Sequence, residues 1–323
     1  MPAGVAPDLV AVLRDWSPDP LVALGVAGAA AAYIAGLRAL RRRGDAWSAG
    51  RTTAFFGGLA VVVVATMSGL GTYDGESFTA HMIQHMLLNM VAPLPLALGA
   101  PVTLALRTLP PAPRRRLLAL LHSRVARVLA SPPLVFGLFI GSTFALYFSG
   151  IYPYSLDHAW AHNLVHVHFL VTGCLFAWVV AGIDPLPRPG HGARMLMVVS
   201  ALPFHAFLGV AMLTQTSLFA GAHYLRGGRS TDALLAEQRT GAGLLWASGE
   251  FIGIGLLFAV LAQWMRSDER LAVRTDRHLD RAEELVSAAE QRSARAAARA
   301  ERETQEEAAL AAYNARLASL HRP

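Results

Sequence analysis

Residues 160–182 read WAHNLVHVHFLVTGCLFAWVVAG, with no aspartate, glutamate, lysine or arginine among them. A bilayer core of about 30 Å takes roughly 20 helical residues to cross, and this run is long enough. Outward from it the same texture recurs. Apolar blocks lie at 133–149 and 195–218 on either side, then at 81–99 and 241–264, then at 53–70 and 21–37. Within lipid every backbone N–H and C=O must be satisfied inside the segment, which selects helices. The expected fold is therefore all-α: a polytopic membrane helix bundle with seven transmembrane helices. Composition points the same way, with 54% hydrophobic and 15% charged residues, against roughly a quarter charged in soluble domains. The blocks also lack the amphipathic stripe of helices buried in a soluble core.

Orientation follows from arginine placement, because basic residues in short loops stay on the cytoplasmic side. Arg38, Arg41, Arg42, Arg43 and Arg51 lie between the first and second blocks, and Arg107, Arg114, Arg115, Arg116, Arg124 and Arg127 between the third and fourth. Loops 71–80 and 150–159 hold acidic residues (Asp74, Glu76, Asp157) and no lysine or arginine. The N-terminus is thus expected outside and the C-terminus in the cytoplasm, in a multi-pass protein of the plasma membrane. Residues 1–265 form the transmembrane domain. Residues 266–323 turn to Arg, Glu and Ala with Leu279, Ala282, Val286 and Ala289 at helical spacing, and read as a charged cytoplasmic helical tail. Loop bias and tail account for most of the net charge of +6, so the charge argues for a lipid bilayer as partner and not for nucleic acid.

Chemistry concentrates on the third and fifth blocks. His81 and His85 stand four residues apart, as do His158, His162 and His166. That spacing puts each set on one helix face. Both helices enter from the outside, so the two pairs lie at matching depth and can face one another. Ionisable groups inside a membrane are costly and mark sites or pathways, and four imidazoles at one level exceed what packing needs. Imidazole suits copper, zinc, iron and nickel, whereas thioether sulfur favours cuprous copper. Met82 and Met86 adjoin the histidines and Met67 ends the second block on the same side, which tilts the reading to copper, Cu(I). His81, His85, His162 and His166 are the expected ligands, with His158 at the entrance, Asp157 or Asp74 attracting cations at the mouth, and His205 as a further candidate beside Glu250. Cys174, the single cysteine, reads as core.

The run His81-Met82-Ile83-Gln84-His85-Met86-Leu87-Leu88, followed by Ala92-Pro93 and Gly99-Ala100-Pro101, resembles the CtaG family of cytochrome c oxidase assembly factors of Gram-positive and related bacteria. His162, Asn163, His166, Phe169, Thr172, Gly173 and Trp178 look like its second signature, and Gln238, Gly241, Trp246 and Gly249 fit a third more loosely. The resemblance covers about residues 20–265. It implies a non-enzymatic protein that assists formation of the copper centre in oxidase subunit I, supplied by an extracytoplasmic copper donor. Two other readings of facing histidines stay open: axial ligation of a b-type haem, and a zinc site activating water with Glu250 as base.

Overall fold

A computed structural model describes residues 14–185 and 189–320, and among these only helices, turns and bends occur. Among the described residues six helices are long and apolar enough to cross a membrane: Pro20–Arg42, Ala49–Tyr73, Phe78–Thr108, Ala159–Ala181, His191–Leu213 and one beginning at Thr231. A pair of helices that meets at 73°, Pro132–Tyr147 and Ile151–Asp157, makes a seventh when counted as one broken span. In chain order these are the first to seventh spans, the bent pair being the fourth. The chain divides into two compact units, Met1–Leu261 and Ala262–Pro323. In the second unit the described residues are helical, its side chains are almost all exposed, Leu279 and Val286 included, and Arg299 pairs with Glu303 one turn on at 2.8 Å.

Proline shapes the third span. Pro93 and Pro95 have no N–H to return to the carbonyls four residues back, so the α-helical ladder fails there. The chain widens into a π turn over Leu87–Val91, closed by Ala92 N–H donating to the Leu87 carbonyl at 2.8 Å. Gly173 of the fifth span fills the place thus made. A Cβ at that position would overlap the Asn89 carbonyl oxygen and come within 2.7 Å of Pro93 Cγ. A side chain there would force the two spans apart. Further along, Ala100 takes a left-handed conformation (φ 51°) and Pro101 starts a separate helix, Pro101–Thr108. The N-terminus of that helix is capped from the fifth span's exit loop, where Asp184 accepts from Thr103 N–H at 2.7 Å and Thr103 Oγ1 at 2.6 Å.

The bend in the fourth span sits at Phe148–Gly150. The first arm ends at Tyr147 with Phe148 as its cap, Gly150 precedes the second, and Ile151 N–H donates to Ser149 Oγ at 3.2 Å as the second begins. Hydropathy reports an apolar block there but not the turn within it. The turn brings the rings of Tyr147 and Tyr152 within 5.2 Å of each other, both buried, at the end of the bundle that carries the histidines.

Candidate metal centre

Three elements deliver the site. Ser77 caps the third span, accepting from Ala80 N–H at 3.2 Å, and Ser77 and Thr79 also bond to Glu237 of the seventh span, which in turn pairs with Arg229. This anchors the first turn and points His81 inward, 1% exposed. The fifth span starts at Ala159 and presents His162 and His166 one turn apart, ring centroids 4.6 Å from each other. Asp74, buried, lies in the short connection between second and third spans.

These residues converge. His162 Nε2 donates to Asp74 Oδ2 at 2.6 Å, and His166 Nε2 lies 2.9 Å from the same oxygen but outside hydrogen-bond alignment. The His81 and His162 rings are 6.0 Å apart. One ligand atom from each of Asp74, His81, His162 and His166 falls within 4.8 Å of all the others, a spacing that a single ion could bridge. His81 Nδ1 and His162 Nδ1 are buried without a hydrogen-bond partner. An unsatisfied buried polar atom costs about 1–3 kcal/mol, so two in one cluster is an arrangement that a bound cation would relieve. Burial opposes ionisation of Asp74, but the two imidazoles outweigh it and hold its carboxyl well below the usual carboxylate range. Asp74 therefore contributes a carboxylate charge to the site.

His85, one turn deeper, is held elsewhere. Its ring stacks on Phe169 at 3.9 Å, its Nδ1 lies 3.2 Å from Tyr147 Oη and its Nε2 3.5 Å from Asn89 Nδ2. Tyr147 Oη also lies 3.0 Å from His81 Nε2. A hydroxyl between two imidazoles donates to one and accepts from the other, so Tyr147 couples the tautomers of His81 and His85. For His81 to offer Nδ1 to an ion, its Nε2–H must donate to Tyr147, whose own proton then goes to His85.

The other candidates are dispersed. His158 is exposed at the start of the fifth span, stacked on Tyr154 at 4.1 Å and donating from Nδ1 to the Tyr154 carbonyl at 2.9 Å. Asp157 receives His223 Nδ1 at 3.1 Å and Arg226 at 2.9 Å. His205 donates from Nε2 to the Leu245 carbonyl at 3.0 Å and fills the space left by the missing side chain of Gly249. Met67, Met82 and Met86 are buried in the core, Met82 against Gly241. Glu250 has one buried carboxylate oxygen without a hydrogen-bond partner. Tyr147 and Tyr152 carry no motif that would single them out, since only the bend aims them here.

Fold and site together define a polytopic membrane protein with a histidine–carboxylate cluster at one end of its bundle. A profile of the family described as cytochrome c oxidase caa3 assembly factor (Caa3_CtaG) matches residues 31–267, and the chain belongs to that family. It is 39% identical over 290 residues to an uncharacterized protein of Mycobacterium bovis, covering 85% of this chain and 43% of the relative. It is 37% identical over 287 residues to an uncharacterized protein of Mycobacterium leprae, with the same coverage. The chain thus spans less than half the length of the curated relatives it matches. No solved structure matches it significantly.

Proposed function

We propose that the chain carries copper to a cytochrome c oxidase under assembly, holding it at Asp74, His81, His162 and His166. The observation that carries this reading is the convergence of three imidazoles on one buried carboxylate, with two ring nitrogens, His81 Nδ1 and His162 Nδ1, left without hydrogen-bond partners, in a family of oxidase assembly factors. Copper is cargo here. Imidazole with an oxygen donor gives an exchangeable site, in contrast to a closed thiolate cage, and Cys174, the only cysteine, lies in the core.

The chain's own groups supply three functions. Asp74 attracts the cation and opposes its charge. His162 and His166 on one helix face, with His81 opposite, furnish the nitrogen donors. Tyr147 sets the tautomer of His81. The arginine-rich loops argue that the histidine end of the bundle faces outward across the plasma membrane, where an extracytoplasmic copper donor could load it. Release would then be sideways, to oxidase subunit I in the same membrane. The chain acts as a carrier, with no catalytic step of its own.

Anaerobic metal analysis of the purified protein, with an absorption spectrum on the same sample, tests the reading. Copper close to one ion per chain without a Soret band is expected. Stoichiometric haem would establish the electron-carrier reading instead, and tightly held zinc with no copper the hydrolase reading.

A further inference from the structure

A cavity of about 800 Å³ opens beside the cluster, with Asp74, His162 and His166 in its wall. Its shape follows from how the first span is held. That helix is buried only at Tyr33, Gly36 and Leu40, all in the half away from the histidines. Tyr33 Oη donates to the Gly99 carbonyl at 2.9 Å. At the other end its lead-in is tied down, Ser17 N–H donating to the Met67 carbonyl at 2.9 Å and Tyr73 to Asp15. Between these fastenings Gly25 and Ala29 face the cavity, while Leu21 and Leu24 are each 72% exposed. The result is a groove with the first and fifth spans as its sides and the second as part of its floor.

We propose that this groove receives a transmembrane helix of the metal-accepting protein, one that carries a metal-coordinating side chain at the level of His162 and His166. The inference rests on reading the cluster as a metal-transfer site. Length separates a helix from a lipid tail. The fifth-span wall runs from His162 to Trp178, sixteen residues (178 − 162), or roughly 24 Å at 1.5 Å per residue. A single acyl chain covers one leaflet, about half of a 30 Å core, whereas a helix fills both. Small residues on the facing wall, Gly25 and Ala29, allow the close backbone approach that membrane helix pairs use, and a side chain added at Gly25 meets no atom of the chain within 4 Å. The polar end suits a coordinating side chain and offers an acyl chain nothing.

Filling the groove without touching the ligands tests this. Gly25→Trp should leave Cu(I) binding by the purified protein within about twofold of the parent, while copper per haem in the oxidase of the same cells falls at least fivefold. Gly28→Trp, on the same helix where an added side chain also meets nothing but outside the cavity lining, should change neither. Normal oxidase copper with Gly25→Trp would overturn the proposal. Loss of Cu(I) binding in the parent would instead strike the copper reading, and a second measurement decides the groove in that event. A photoreactive residue at Gly25 in living cells should form an adduct whose mass spectrum identifies a transmembrane segment bearing His, Met or Cys near its outer end. Adducts to lipid alone would overturn it.

Discussion

At the scale of single residues the site depends on which atoms are left free. His162 and His166 both approach one oxygen of Asp74, and His81 completes the cluster. Replacing His162 or His166 with Ala should weaken cuprous binding at least tenfold in a competition titration with a chromophoric Cu(I) chelator. Tyr147→Phe touches no ligand atom but removes the hydroxyl that fixes His81. Groups orienting a metal ligand are typically worth 10–100-fold in affinity, and a loss in that range is expected while the protein stays folded. His205→Ala should leave binding unchanged and lower thermal stability, because the Leu245 carbonyl would lose its buried donor. Asp74 also predicts a pH effect. A carboxyl held below its unfolded value contributes stability that is complete above about pH 4, the ordinary aspartate range, and is lost as pH falls through the folded value. Unfolding temperature in detergent should therefore decline below about pH 4, and Asp74→Asn should flatten that decline. An unchanged acid slope in the variant would remove Asp74 from the account.

At the scale of elements, broken regularity builds the centre. The third span keeps its place against the fifth because Pro93 and Pro95 open a π turn and Gly173 enters it. Gly173→Ala would drive a methyl group into the Asn89 carbonyl oxygen, and overpacking of this kind costs about 1–3 kcal/mol. A clear fall in thermal stability together with weaker metal binding is the expected result, whereas a silent substitution would mean that the contact is not formed. The sequence is informative here to a definite depth. Runs of apolar residues announce the spans, and the i, i+4 histidines announce which faces carry chemistry. Hydropathy has no term for direction, however, so the 73° bend that aims Tyr147 and Tyr152 leaves no trace in it. The pairing of Asp74 with His162 joins residues 88 positions apart through a connection whose path depends on packing of whole helices. His85 shares its helix face with His81, and only the position of Phe169 and Tyr147 shows that its ring is already engaged.

At the scale of the whole molecule, the bundle has chemically distinct ends. Glu76 is exposed beside the cluster, and Ala112 is exposed in the arginine-rich segment after the third span. On a Cys174→Ser background, a cysteine at position 76 should react with an impermeant thiol reagent in intact cells, and one at position 112 should react only after permeabilisation. The reverse pattern would place the cluster on the cytoplasmic side and remove its access to an external copper donor. The central claim, that this chain supplies copper to an oxidase of the same membrane, is tested most directly by copper per haem in oxidase purified from cells grown at limiting copper, with the gene intact, deleted, or carrying His166→Ala. Full haem and depleted copper are expected in both altered strains, with partial recovery as copper is added. Full copper occupancy in the deleted strain at limiting supply would contradict it.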